Sequence, residues 1–185
     1  MKIYRYLVIA LFVGLGFSCA PSSEKVEMEK LPYFDLKSFM NLEISKLDSV
    51  LVTKTSRING KESIVDTVYS QQDFKEEFEV FYQADINLPS LATSYSTDAK
   101  YDYLVHKLLP EAKGKVKEIV VRYHQSYPSS ITIKMKEENL FYSTTTIGEL
   151  YMSQLTNKVD HYTIETTQKV IFLDPTNIKI QGILK

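Results

Sequence analysis

The chain opens on an apolar run, Tyr6 to Gly16, preceded by the bases Lys2 and Arg5 and followed by the polar stretch Ala20 to Lys25. That run is too short to span a bilayer comfortably, and small residues close it, so it reads as a secretory signal. Apolar positions next recur at Leu36, Phe39, Met40, Ile44, Leu47 and Leu51, a three- and four-residue spacing that predicts an amphipathic helix from Leu36 to about Val50. Asp35 is placed to cap it. Asn59-Gly60, between Val52–Ile58 and Glu62–Tyr69, predicts a two-residue hairpin, because both turn residues need positive φ. Ser70, with Asp73 three places on, predicts a capped second helix, Gln71 to Ala84. Its aromatic stripe of Phe74, Phe78, Phe81 and Tyr82 reads as core rather than as a binding box.

Beyond Thr93 the period changes to two and no helix-length pattern returns. Strands are predicted over Tyr101–Leu109, Val116–His124, Ser130–Lys136, Leu140–Thr146, Leu150–Leu155, His161–Glu165, Lys169–Leu173 and Ile178–Leu184. The connections are short, so the strands should meander antiparallel. Ser130–Lys136, His161–Glu165 and Ile178–Leu184 alternate between apolar and polar. Tyr101–Leu109 and Val116–His124 are apolar on both faces and are expected to be covered on both. The fold class is therefore α+β: a curved antiparallel sheet of about 8–10 strands carrying two helices from the N-terminal half on one face. Phe74, Phe78, Phe81, Tyr101 and Tyr103 are the candidate lining of its core or of an apolar-ligand cavity.

Domain organisation follows from the same pattern. Residues 1–18 form the signal, 19–32 a tether, and 33–185 a single domain. Removing eighteen of 185 residues leaves 167, enough for one proper core. Loss of Lys2 and Arg5 from 22 bases leaves 20 against 23 acids, a net charge of −3 with no electrostatic reason to bind nucleic acid. The single cysteine, Cys19, allows the domain no disulfide, thiol nucleophile or cysteine metal site.

Leu15-Gly16-Phe17-Ser18-Cys19 resembles a bacterial lipobox, with the leucine one place further out than usual and a phenylalanine at minus two. The resemblance implies a mature N-terminus at Cys19 carrying acyl chains, and two or three chains anchor durably where one does not. Ala20 after the cysteine, and Glu24 as the only nearby acid, favour the periplasmic side of the outer membrane over surface display. Phe34-Asp35-Leu36-Lys37, Asn59-Gly60, the Ala84 to Pro89 segment and, more loosely, Gln168-Lys169 and Ile180-Gln181-Gly182 are similar to a group of uncharacterised Bacteroidota lipoproteins. In architecture the expected sheet resembles the half-barrel of lipoprotein carriers of the LolA and LppX kind, and fold alone does not settle activity.

Candidate chemistry is sparse. No Gly-rich phosphate loop, HExxH or GxSxG occurs. His106, His124 and His161 fall on predicted strands and are expected to be solvated. Pairing about the loop between Leu109 and Val116 would put His106 near Ile119 rather than beside His124, which argues against a two-histidine metal site. Asp85 reads as part of a helix terminus. Ser143 to Thr146 and Thr166-Thr167 read as β-propensity runs. No cofactor is expected. The expected function is that of a non-catalytic binding or interaction lipoprotein of the envelope. The alternatives are a carrier of an apolar ligand or lipoprotein, and a hydrolase whose residues are scattered; Asp85 or Asp102 meeting a histidine in a cleft would mark the latter.

Overall fold

A computed structural model describes residues 30–185. The signal, Cys19 and the tether up to residue 29 lie outside the described residues. Helix α1 (Leu36–Ser45) starts where the Asp35 carboxylate accepts the Ser38 N–H at 3.0 Å. It ends five residues before the predicted point, because Ser49, at φ 53°, turns the chain into strand β1 (Val50–Ile58). The apolar period runs on past the helix for a different reason: Leu47 stays buried within the turn, whereas Leu51 already belongs to the strand.

Asn59 and Gly60 take φ values of 47° and 85° and close β1 onto β2 (Lys61–Tyr69), as the pair predicts. Ser70 and Asp73 form a reciprocal capping box at the next helix. The predicted helix Gln71 to Ala84 is broken at Phe78 into α2 (Gln71–Glu77) and α3 (Glu79–Gln83). Phe78 N–H still bonds the Phe74 carbonyl, but Phe81 N–H bonds the Phe78 carbonyl three residues back, a 3₁₀ tightening. That extra rotation turns Phe74, Phe78 and Phe81 all inward, each fully buried.

After a 3₁₀ turn (Pro89–Leu91) the chain is all strand: β3 (Tyr95–Ala99), β4 (Tyr103–Leu108), β5 (Val116–His124), β6 (Tyr127–Glu138), β7 (Tyr142–Met152), β8 (Val159–Val170) and β9 (Thr176–Leu184). The nine strands form one open sheet in the order β2-β1-β9-β8-β7-β6-β5-β4-β3, antiparallel throughout. Strand β3 has no apolar alternation to announce it, because this edge strand buries only Tyr95. β7 joins two predicted strands. Gly148, at the expected break, lies mid-strand where Ile133 and Phe81 close in: an added Cβ would sit 2.9 Å from Ile133 Cγ1 and 3.2 Å from Phe81 Cζ. β8 likewise runs through the polar Thr166–Gln168, where Thr166 and Thr146 hydroxyls meet at 3.2 Å.

One face of the sheet packs on the helices. Val52, Val116, Ile119, Val121, Ile131, Ile133, Leu150 and Tyr162 are buried there against Leu36, Met40, Ile44 and the three phenylalanines. The expected cover on both faces of β4 and β5 does not materialise. Their outward Val105 and Val120 are half-buried in an open groove of about 440 Å³ whose rim includes Lys107, Glu118 and Arg122.

Candidate binding surfaces

Two segments distant in sequence interlock where the chain enters the fold. The Asn87 side chain accepts the Tyr33 N–H at 3.1 Å and donates to the Phe34 carbonyl at 3.0 Å. Asp85 Oδ1 accepts the Asn87 N–H at 2.9 Å, setting the turn that presents this amide. Phe34 N–H in turn donates to His106 Nε2 at 3.0 Å, and the Tyr33 hydroxyl bonds the Leu91 and Ala92 carbonyls. Phe34-Asp35 and the Ala84 to Pro89 segment therefore meet as one backbone knot. The role of Asp85 within it is conformational.

His106 corrects the expectation of solvated histidines. It does pair with Ile119, as the loop register predicts, but it is 1% exposed. The missed signal is its parity with Leu104 and Leu108, which also pack on the core. Nε2 accepts from Phe34, so the ring is neutral with its proton on Nδ1, donated to Thr97 Oγ1 at 2.9 Å. Burial holds its pKa below the ordinary 6.5. The unfolded chain thus takes up this proton first as pH falls. The stability His106 contributes is complete above about pH 6.5 and drains away as acidification proceeds toward the folded-state pKa. Thermal melts between pH 7.5 and 5 should show this loss, and His106→Gln should flatten the curve. An unchanged slope in the variant would assign the acid sensitivity elsewhere.

The other two histidines are not buried. His161 stacks on Tyr151 with centroids 4.4 Å apart and bonds Asp160 at 2.7 Å on the outward face. His124 and Asp102 are exposed. His106 has both ring nitrogens engaged, by Phe34 and Thr97, and Asp85 accepts from Asn87 rather than meeting the ring. Among the described residues no group of three or more His, Cys, Asp or Glu could hold a metal ion.

Two Lys-Glu-Tyr clusters join helices to sheet. Glu43 of α1 is fully buried, bonding Lys46 Nζ at 2.6 Å and the Tyr127 hydroxyl of β6. Glu77, at the end of α2, accepts from Lys54 Nζ at 2.7 Å and from Tyr69 at 3.2 Å. Each carboxylate keeps one oxygen without a partner, as does the buried Tyr162 hydroxyl beside the second cluster. Burial raises the Tyr162 pKa, so the phenol stays neutral.

Of the five candidate lining residues, Phe74, Phe78 and Phe81 meet edge to face or tilted at 5.7–5.9 Å in the core, where Phe78 also touches Tyr162 at 4.9 Å. Tyr101 is a correction. It stands in the β3–β4 turn, 97% exposed, because the strand begins only at Tyr103. Tyr103 points outward, with its hydroxyl on Asp98 and Lys100 over its ring.

Besides the groove over β4 and β5, two further surfaces of the described residues are open to a ligand or partner. A cleft of about 380 Å³ opens between the end of the helices and the sheet, floored by Leu91, Tyr95 and Val116 and rimmed by Lys37, Asp85 and Lys115. The free edge of β2 is the other. It runs nine residues, with Ile64 62%, Val65 54% and Val68 59% exposed. The two-residue turn makes Ile58 and Lys61 a hydrogen-bonded pair, so alternation leaves the backbone groups of Glu62, Ile64, Asp66 and Val68 facing outward. No family model, curated protein or solved structure compared with this chain matches it.

Proposed function

We propose that the protein is a membrane-anchored lipoprotein of the bacterial envelope, held through acylated Cys19, that acts without catalysis by binding a partner protein along its β2 edge. The observation that carries this reading is that edge. A nine-residue strand presents unpaired backbone groups together with apolar side chains on both faces. The two carboxylates of this edge are engaged within the sheet, Glu62 by Arg57 and Asp66 by Thr53 and Lys185, and an exposed edge is a template for strand addition. Ile64 and Val68 point to one side and Val65 to the other, offering alternate pockets to an added extended segment.

A carrier of an apolar ligand is the second reading. An open antiparallel sheet with helices against one face supports this reading, as does the 380 Å³ cleft, which has room for a small apolar group. Against it, Phe74, Phe78 and Phe81 fill the space between sheet and helices that an acyl chain would need. Interaction is the better supported version.

A photo-crosslinking residue at position 64 of the full-length chain, expressed in its native envelope, tests the proposal. One recurrent adduct is expected, lost when Val68→Pro removes an outward N–H from the edge. Crosslinking that survives Val68→Pro, or that is equal from position 101, would refute strand addition.

A further inference from the structure

Antiparallel pairing throughout brings the β1–β2, β4–β5, β6–β7 and β8–β9 connections to one end of the sheet. At that end two adjoining turns carry an apolar cluster with no cover. Leu140 is 88% exposed and Phe141 68% in the first; Ile171 is 49%, Phe172 97% and Leu173 66% in the second. The turns are tied together, Ile171 N–H to the Phe141 carbonyl at 2.8 Å. Phe172 sits at φ 65°, a left-handed conformation that a bulky residue adopts only under constraint. The fold thus holds a phenylalanine out into solvent at a conformational cost. The opposite end of the sheet has only isolated apolar residues of this exposure, Tyr101 at 97% and Leu155 at 96%.

The chain enters the fold at the same end. Tyr33 bonds the Leu91 and Ala92 carbonyls and the Tyr95 N–H, just before β3. Residues 20–30 would reach about 36 Å when extended at ~3.3 Å each. A membrane-held Cys19 would therefore leave this end of the sheet within reach of the bilayer. Charges closest to the turns are nearly balanced, Lys136 and Lys169 against Glu137, Glu138 and Asp174. Attraction to acidic headgroups is therefore not what this end offers. Single side chains projecting from turn tips also suit a soft apolar medium better than a flat protein surface.

We propose that the 140–141 and 171–173 turns insert into the interfacial region of the bilayer that carries the lipid anchor, fixing the orientation of the domain. The inference rests on the anchoring reading of Cys19. A second contact of this kind would convert a flexible leash into a defined pose, with the β2 edge standing out from the membrane.

The protein contains no tryptophan, so Phe172→Trp creates a unique reporter and Tyr101→Trp its control. Both replace residues 97% exposed and should leave the fold unchanged. Full-length acylated protein would be reconstituted in phosphatidylcholine vesicles with and without brominated acyl chains. Insertion to a depth of about 5–10 Å predicts blue-shifted emission and roughly twofold or greater quenching for Phe172→Trp, with little for Tyr101→Trp. Equal behaviour of the two variants, or no quenching of either, overturns the proposal. So does a blue shift that forms without lipid and grows with protein concentration, which would place a second copy on the turns. Intact mass separates the two readings. If Cys19 proves unmodified, anchoring fails, yet selective quenching on added vesicles still supports insertion.

Discussion

Gly182→Ala should lower stability by about 2–4 kcal/mol, an overpacking cost at the upper end of the usual range. A Cβ at this position would overlap the ring and hydroxyl of Tyr162, which lies flat over the glycine from the neighbouring strand β8. The ring has nowhere to go. It is 1% exposed and pinned on its other side by the edge of Phe78 at 4.9 Å and 88°. Relief must then come from moving α2 and α3 off the sheet or from bending β9. Urea denaturation of the variant gives the cost directly. In a Tyr162→Leu background the same glycine substitution should cost under about 1 kcal/mol, because the smaller side chain clears the new methyl. A cost of less than about 0.5 kcal/mol in the parent background would contradict the packing.

Lys46→Met should be the more damaging of two substitutions in the α1 cluster, at about 2–4 kcal/mol against ~1 for Glu43→Gln. The asymmetry comes from burial. Glu43 is 0% exposed while the Lys46 side chain is 29% exposed, so removing the lysine strands a carboxylate that already has one unpartnered oxygen. Removing the charge of Glu43 leaves an ammonium that water can reach. Burial acts to lower the Lys46 pKa, but its hydrogen bonds to Glu43 and Tyr127 outweigh that effect and raise it above 10.5. The stabilisation from this pair is accordingly complete below about pH 10.5 and lost as pH rises past it. Lys46→Met should abolish that alkaline component. Equal costs for the two substitutions would sink this account.

The two proposals divide the molecule between partners. On these proposals the apolar turns would face lipid, and the β2 edge would stay free along the side of the sheet. Either can fail without the other. Loss of crosslinking at position 64 says nothing about quenching at position 172, since the first lies within edge strand β2 and the second in the β8–β9 turn.

What the chain revealed before folding were its local, short-range devices. The Asn59-Gly60 turn, the Ser70-Asp73 box and the Asp35 cap each depend on residues within a few positions of one another, so their chemistry is legible in order along the sequence. The two-residue period and short connections were likewise sufficient for an antiparallel sheet. Contacts between distant segments decided the rest. Gly148 falls in a gap between two predicted strands and Gly182 inside a third, yet both serve as floor for Phe81 and Tyr162 arriving from elsewhere. His106 looks polar enough for the surface until Phe34 and Thr97 satisfy both its nitrogens. Phe141 and Phe172 read as ordinary strand aromatics. Only tertiary pairing shows them side by side at one end of the sheet, because burial and neighbourhood are properties of the folded chain and not of the residue.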